Sequence, residues 1–198
     1  MMLAGGTLSS VLQHPDPPLS DGVITLRAKA RTDVDALTAA CQDPEIPRWT
    51  LVPVPYRRED ALSWIAATEL ELDAGVAIDW LAVDDADRLL ASIGLTIIDR
   101  VHGTGEIGYW VARAARGRGV ATRAVRLVRD WAASELGLTT LELVIHEHNS
   151  PSHVVAHAAG FTHAGERGTP PREGLPEGRY LVHEWHPGQP ARTAGRAS

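Results

Sequence analysis

The stretch from Gly105 to Leu138, GEIGYWVARAARGRGVATRAVRLVRDWAASELGL, decides how the rest of the sequence is interpreted. Its first residues predict a strand that ends near Val111. A helix is predicted from Val120 to Leu136, because apolar residues recur on one face and Gly137 follows as a helix stop. The turn RGRGVA, residues 116–121, lies between the strand and the helix and carries the chemistry.

The chemistry of this turn favours an anionic ligand. Small residues at the start of a helix let a ligand approach the backbone closely. The free N–H groups and the dipole of that helix end favour an anion, typically a phosphate, and Arg116 and Arg118 add positive charge. A solvated basic turn, with glycines that supply flexibility, would have the same sequence. From these residues alone both interpretations stay open.

Two common phosphate-binding loops do not fit the turn. A P-loop needs Gly-Lys-Ser/Thr, whereas Val120 and Ala121 follow Gly119 here. A dinucleotide fingerprint begins directly after its strand and has a third glycine, whereas several residues intervene here and Thr122 occupies that place. The sequence therefore excludes the two best-known alternatives.

The remainder of the chain alternates strand and helix patterns, which predicts an α/β fold with a sheet of mixed direction. The predicted strands are Val23–Ala28, Ile78–Val83, Leu90–Ile98, a fourth that runs through Gly108–Val111, a fifth at Thr140–Ile145, one near Phe161 and one at Arg179–Trp185. The further predicted helices are Thr32–Ala40, Glu59–Leu72 and Ser150–Ala159, the last with Ser150 as its N-cap. Gly165–Gly178 is predicted to be a long loop.

Composition limits the class of protein. The chain has 198 residues, which suits one domain, and a net charge of −6, which disfavours non-specific nucleic-acid binding. Its single cysteine, Cys41, excludes an internal disulfide and favours a reducing compartment. No signal peptide and no apolar stretch long enough for a membrane is recognised, so a cytoplasmic protein without a membrane partner is expected. Residues 1–20 and 187–198 are expected to be flexible and 21–186 to form the domain.

The turn resembles the Arg/Gln-x-x-Gly-x-Gly/Ala pyrophosphate-binding motif of the GNAT acetyltransferases, matched by Arg116, Gly119 and Ala121. The surrounding sequence sharpens the resemblance. The segments EIGYW, ATRAV and ELGL, the pattern Asn149-x-x-Ser152 followed by a Gly-Phe pair, and the segment DPEIPRW are similar to the RimJ/RimL-like branch of that superfamily.

The resemblance implies a GNAT-type α/β fold: a mixed, mostly antiparallel twisted sheet, splayed between strands four and five and flanked by helices. The pantetheine arm of acetyl-CoA would pair with the edge of strand four at Val111 and Arg113. The pyrophosphate would bind the amides of the turn, and Asn149 would contact the pantetheine or cap the last helix. The implied cofactor-binding residues are Val111, Arg113, Arg116, Gly117, Arg118, Gly119, Val120, Ala121, Thr122 and Asn149.

The implied activity is transfer of an acetyl group from acetyl-CoA to a primary amine, either a peptide N-terminus or a small amine, by direct attack. Glu106 is expected to accept the amine proton or to bind the ammonium, although it could equally be a solvated acid at a strand end. Many GNAT enzymes protonate the leaving thiolate with a tyrosine, but that place is Ala156 here. Ser152 is the remaining candidate to contact the sulfur, or else it is only a polar residue of the first helical turn.

Arg48 and Trp49 are expected to help form the acceptor pocket; the alternative is a packed loop anchor. His146, His148, His153 and His157 have spacings that could bind zinc, but no cysteine accompanies them and no metal is expected. Two other functions stay open: a coenzyme A-binding module without turnover, and an acyltransferase for a longer donor such as succinyl-CoA. The sequence also leaves a homodimer open.

Overall fold

The structure is a computed structural model that describes residues 12–188. Within these residues it contains β1 (Leu19–Ser20), β2 (Thr25–Arg27), β3 (Ile78–Val83), β4 (Leu89–Asp99), β5 (Thr104–Val111), β6 (Thr140–His146), β7 (Thr162–Arg167) and β8 (Tyr180–Trp185). The α-helices are α1 (Val34–Ala40), α2 (Arg58–Asp73), α3 (Val120–Glu135) and α4 (Ser150–Ala158). Short 3₁₀ helices span Arg31–Asp33 and Arg113–Ala115.

The described strands form one sheet in the order β1-β2-β3-β4-β5-β6-β8-β7, and every neighbouring pair is antiparallel except β5 and β6. These two strands are the fourth and fifth strands predicted from the sequence. They pair only from Thr104↔Thr140 to Glu106↔Glu142, although β5 continues to Val111 and β6 to His146. An open slot therefore begins beyond Glu106, and the predicted splay is confirmed.

Two local features shape the slot. A Cβ on Gly105 would come within 2.8 Å of a Leu138 side-chain atom and 3.0 Å of Leu141, so any other residue there would require these leucine side chains to shift where β5 and β6 are still paired. The register of β4 shifts at Thr96, between Leu95 and Ile97, opposite the start of the slot. An extra residue of this kind bends its strand and increases the local twist.

The sheet separates two apolar cores. The larger one lies between the sheet and α3 with α4, and it includes four of the five residues of the predicted apolar face of α3: Ala124, Val125, Val128 and Ala132. The fifth, Ala121, is also buried but lines a cavity described below. The smaller core lies on the other face, against α1 and α2, and contains Trp110 and Cys41. Burial of both faces explains why the central strands β3 and β4 are almost continuously apolar.

The structure differs from the sequence-based prediction at several boundaries. Asn149, not Ser150, is the N-cap of α4, because its side chain accepts a hydrogen bond from the N–H of Ser152. Within the segment expected to be flexible, Leu12 is buried in the larger core and 19–20 form β1, so the packed region begins before residue 21. The rest of the predicted flexible ends, residues 1–11 and 189–198, lies outside the described residues. The long loop begins only after β7, which continues to Arg167.

Candidate active site

Two cavities of about 600 Å³ each meet at the slot. The glycine-turn cavity is bordered by Val111, residues 116–117 and 119–122 of the turn, and the start of α4. The carboxylate cavity is bordered by Glu106, the parts of β5 and β6 that flank the slot, and the long loop before β8. Six residues line both cavities and define their junction: Trp49, Thr50, Tyr109, Trp110, Asn149 and Ser152.

The glycine turn presents backbone amides to its cavity. Gly117 and Gly119 have φ angles of +71° and +75°, the left-handed region that glycine adopts without strain. A Cβ on either glycine would meet no atom within 4 Å, so open space lies beside this backbone. The N-cap of α3 has no side-chain hydrogen bond, and no acceptor among residues 12–188 bonds the N–H groups from Gly117 to Thr122. The amides are thus available to an anion.

The arginines near the turn have three different surroundings. Arg116 lines the cavity, but its guanidinium lies 2.7 Å from Asp43 and also donates to the carbonyl oxygen of Val111. Arg118 is exposed and does not line either cavity. Arg113, predicted to pair with the pantetheine arm, lies just beyond β5, which ends at Val111; it begins an exposed 3₁₀ turn and lines neither cavity. The other residues predicted to bind the cofactor all line the glycine-turn cavity: Val111, Gly117, Gly119, Val120, Ala121, Thr122 and Asn149.

Glu106 lies at the start of the slot and is almost completely buried, with a relative exposure of 8%. Nη2 of Arg172 donates to its Oε1 over 2.7 Å and to the hydroxyl oxygen of Thr96 over 2.9 Å. Arg167 lies 3.7 Å from the other carboxylate oxygen. Arg172 was not predicted, since nothing in a Pro/Gly-rich loop indicates which strand its side chains reach. Glu106 therefore faces the cavity already paired with a guanidinium.

The carboxylate cavity has an excess of negative charge. Four carboxylates line it, those of Asp60, Glu71, Asp79 and Glu106, against the single guanidinium of Arg172. Behind this wall the buried ammonium of Lys29 lies 3.3 Å from Asp79 and over the ring of Trp64. Burial lowers the pKa of Lys29, and Asp79 opposes that shift. Such a cavity favours a cationic ligand.

The hydroxyl groups of Tyr109 and Ser152 lie next to each other at the junction of the cavities. The Tyr109 hydroxyl is buried and has no hydrogen-bond partner among the described residues. Burial raises the pKa of Tyr109 to about 12, and the adjacent Ser152 side chain lowers it by a smaller amount. The third junction hydroxyl, that of Thr50, donates to the carbonyl oxygen of Ile46 instead. Ser152 was predicted to contact the sulfur, whereas Tyr109, whose only signal was the EIGYW segment, was not predicted.

Trp49 and Arg48 do not contribute equally. Trp49 lines both cavities and packs against His146, with ring centroids 5.2 Å apart. Arg48 is mostly exposed, pairs with Glu45 and lies over the Trp49 ring, outside the walls of both cavities. Of the two residues predicted for the acceptor pocket, the structure brings only Trp49 to the site.

Other candidate groups lie away from the junction or are engaged. His146 donates from Nε2 to the carbonyl oxygen of Glu177 and accepts at Nδ1 from the N–H of His148, so both of its ring nitrogens are engaged. Burial raises the pKa of Cys41 to about 12, as expected for an apolar packing role. Between residues 12 and 188 no three His, Cys, Asp or Glu side chains are arranged to hold a metal ion. No helix among the described residues is long and apolar enough to span a membrane.

These features define a class of enzyme. A strand edge left open beside unpaired amides suits a ligand that carries both an extended amide-containing arm and a diphosphate. Coenzyme A has both groups, and the residues of the glycine-turn cavity fit it. The adjoining carboxylate cavity lies where an acyl group would be handed to an acceptor. Fold and site together are those of an acyl-CoA-dependent N-acyltransferase.

Comparison with known proteins gives the family. The family model for the acetyltransferase (GNAT) domain matches residues 24–162, and the chain belongs to this family. The uncharacterized N-acetyltransferase p20 of Bacillus licheniformis is 27% identical over 146 residues, which cover 72% of this chain and 80% of that protein.

Two solved structures illustrate the shared fold. RimL, a ribosomal L7/L12 alpha-N-protein acetyltransferase solved with coenzyme A, has a TM-score of 0.75 and 17% identity, covering 85% of this chain and 96% of its own. Spermidine N-acetyltransferase from Vibrio cholerae, solved with CoA and spermine, has a TM-score of 0.71 and 17% identity, covering 84% and 96%. The fold is therefore that of the RimJ/RimL-like acetyltransferases.

Proposed function

We propose that this N-acetyltransferase acts on a cationic primary amine, whose ammonium group enters the carboxylate cavity and reaches Glu106. The observation that carries the proposal is the end of β5–β6 pairing at Glu106 and Glu142, because both cavities meet beyond that point. An acetyl thioester held from the glycine-turn side would then lie beside a buried carboxylate on the acceptor side.

Coenzyme A is assigned to the glycine-turn cavity because the cavity wall offers a binding group for its diphosphate and, next to that, one for its pantetheine arm. The diphosphate is assigned to the N–H groups from Gly117 to Thr122, which no described residue occupies. The pantetheine arm is assigned to the edge of β5 at Val111. Since the carbonyl oxygen of Val111 already accepts a hydrogen bond from Arg116, the N–H of Val111 is the more accessible group for that arm.

The charge of the carboxylate cavity supports a cationic acceptor. Glu106 is the carboxylate closest to the slot, and Asp60, Glu71 and Asp79 extend the negative wall away from it. A substrate ammonium must compete with Arg172, which lies 2.7 Å from Glu106. An acceptor with a second positive charge could bind the more distant carboxylates at the same time, which favours short diamines and basic peptide N-termini over neutral amines.

The amine must lose a proton before it attacks. At neutral pH this costs roughly 1 kcal/mol for a peptide α-amine and about 5 kcal/mol for a lysine-type amine, from their ordinary pKa values. Glu106 is assigned to receive this proton, directly or through water, and to hold the ammonium beforehand. The difference in cost predicts that a peptide α-amine reacts faster than a lysine side chain once both are bound.

Thiol release from acetyl-CoA tests the proposed function. The acceptors should comprise peptides with free N-termini, the same peptides with a free amine only on lysine, short diamines and polyamines, and a neutral aromatic amine. Cationic acceptors should release thiol and the neutral amine should not. Binding of acetyl-CoA without turnover on any acceptor would instead indicate a coenzyme A-binding module.

Two finer expectations belong with this proposal. The acyl donor is assigned as acetyl-CoA, and the same assay with succinyl-CoA measures whether a longer, anionic acyl group is accepted near Glu106. A cytoplasmic location is inferred from the single, buried cysteine, which needs no oxidising compartment. Fractionation of cells that express the native chain tests that location.

A further inference from the structure

We propose that the hydroxyl group of Tyr109 donates a hydrogen bond to the sulfur of the thioester and stabilises the departing thiolate, with Ser152 as its partner. This inference rests on the proposed function, because it needs coenzyme A in the glycine-turn cavity. It assigns a catalytic residue that stabilises the leaving thiolate, because Ala156, at the place where many GNAT enzymes have a tyrosine, has no hydroxyl group and is completely buried in the larger core.

The position of Tyr109 at the junction of the two cavities supports the assignment. Acyl transfer must occur where donor and acceptor cavities meet, and six residues line both. Among them only Thr50, Tyr109 and Ser152 carry a hydroxyl group, and that of Thr50 is bonded to the carbonyl oxygen of Ile46. Tyr109 and Ser152 therefore remain as the junction hydroxyls able to donate to a bound thioester.

The burial of the Tyr109 hydroxyl supports the assignment through its energy. A buried hydroxyl without a hydrogen-bond partner is costly, and buried tyrosines usually find a partner. The Tyr109 hydroxyl makes no hydrogen bond of good geometry among residues 12–188, although the Ser152 side chain is close enough to lower its pKa. A group that is unpaired in the free protein and lines a ligand cavity gains its hydrogen bond when the ligand arrives. Because burial raises the pKa of Tyr109 to about 12, the hydroxyl keeps its proton and remains a donor across the working pH range.

The face of β5 from which Tyr109 projects indicates which atom receives the hydrogen bond. Side chains alternate along a strand, so Glu106 and Tyr109, three positions apart, leave β5 on opposite faces. Trp110 packs into the core of α1 and α2, whereas Tyr109 packs against the core of α3 and α4, as this alternation requires. The amine would approach from the Glu106 face and the leaving group depart toward Tyr109. The sulfur also lies nearer to Val111 than the acyl carbon does, since the pantetheine arm comes from that side and the acyl group is its tip.

The step balances without any co-reactant. The amine nitrogen forms a bond to the acyl carbon, and the C–S bond then breaks with its electron pair remaining on sulfur. Tyr109 donates a hydrogen bond to the developing thiolate and keeps its own proton. The proton lost by the amine passes through Glu106 to water, and the thiolate takes a proton from water when it leaves the site.

A titration of bound coenzyme A tests this role without turnover. Thiolate absorbs in the ultraviolet, so the pKa of the thiol can be measured in the complex with the wild-type protein, Tyr109→Phe, Ser152→Ala and the double variant. A hydrogen bond to a charged sulfur should lower that pKa, and Tyr109→Phe should raise it by about 1 to 2 pH units. If the hydroxyls act together, the two single effects will not add up to that of the double variant.

Kinetics supply the second measurement. Tyr109→Phe should lower kcat by about 10- to 100-fold while KM for acetyl-CoA changes little, because the bond strengthens only as charge develops. Tyr180→Phe is the matched control, since its hydroxyl donates to the carbonyl oxygen of Pro176 rather than facing the junction. Because Tyr180 lines the carboxylate cavity but not the junction, its variant should affect at most the acceptor KM and should reproduce neither the loss of kcat nor the shift in thiol pKa.

A fluorinated tyrosine at position 109 guards against a folding defect, because it keeps the shape and makes the hydroxyl a stronger donor. It should lower the pKa of the bound thiol further. A thiol pKa that stays at the wild-type value in both Tyr109 variants overturns the assignment, even if the enzyme acetylates amines. Absence of turnover on every amine would overturn the proposed function but leave this titration valid.

Discussion

Substitution of Gly119 by glutamate probes the assignment of the diphosphate to the glycine turn. Gly119 is the N-cap of α3, has a φ angle of +75°, and a Cβ there would point into open space. Two costs should result and can be separated. The left-handed backbone costs roughly 1 to 2 kcal/mol for any residue with a side chain, whether or not a ligand is bound. The carboxylate also repels the diphosphate.

The size of the repulsion follows from the distance. Two unit charges about 4 Å apart interact by roughly 1 kcal/mol in water and 4 kcal/mol near a protein surface. Because the turn is exposed, salt will reduce this value toward the lower limit. Gly119→Glu should therefore weaken coenzyme A binding by about 5- to 1000-fold relative to Gly119→Gln, which has nearly the same shape without the charge.

Gly137→Ala is the matched control for backbone strain. Gly137 follows the other end of α3, has a φ angle of +67°, and a Cβ there would also meet nothing within 4 Å. All three variants should lose a few degrees of melting temperature, about 2–4 °C per kcal/mol for a chain of this size. Isothermal titration calorimetry should show lost affinity at position 119 only. Wild-type affinity for coenzyme A in Gly119→Glu would refute our placement of the diphosphate.

Three further predictions concern the carboxylate cavity and the histidines. Glu106→Gln should lower kcat most at low pH, where the amine must lose a proton, and leave coenzyme A affinity intact; an unchanged pH–rate profile would exclude Glu106 as the base. Arg172→Gln should lower KM for a cationic amine by about tenfold, because a competing cation is removed, whereas a raised KM would mean that Arg172 holds the acceptor. Burial and, to a smaller extent, three neighbouring histidines lower the pKa of His183 to about 4 from the ordinary 6.5. Between these two pH values the unfolded chain therefore binds more protons than the folded chain. Thermal unfolding should accordingly show stability lost as pH falls from 6.5 toward 4, and His183→Gln, which carries no titratable group, should flatten that slope.

The sequence predicted the fold well because its elements are locally encoded. The apolar period of α3, the glycine after it and the apolar runs of β3 and β4 each depend on neighbours in the chain. The boundaries at the α4 cap and at β1 were missed for a physical reason. Asn149 and Ser150 are both good caps, and only the path of the chain decides between them. A two-residue strand such as β1 exists only because β2 is there to pair with it.

The parts of the site formed by backbone groups were predicted from the sequence, and the parts formed by side-chain contacts were not. The amides of the glycine turn follow directly from strand, turn and helix, so most of the residues predicted for coenzyme A line the cavity. Side-chain pairings between distant segments could not be predicted. Arg172 reaches Glu106 across 66 positions, and the two hydroxyls at the junction come from β5 and α4. Arg113 was misplaced because the sequence does not mark where β5 ends.

The ion pair between Arg172 and Glu106 also bears on how the enzyme would release its product. An amine is charged when it enters and can displace the guanidinium, but the amide formed from it is neutral and cannot. Arg172 would then return to Glu106 and expel the acetylated molecule, so that neutralisation of the substrate empties the cavity. Weak inhibition by the amide product, becoming stronger in Arg172→Gln, is the behaviour expected from such an exchange.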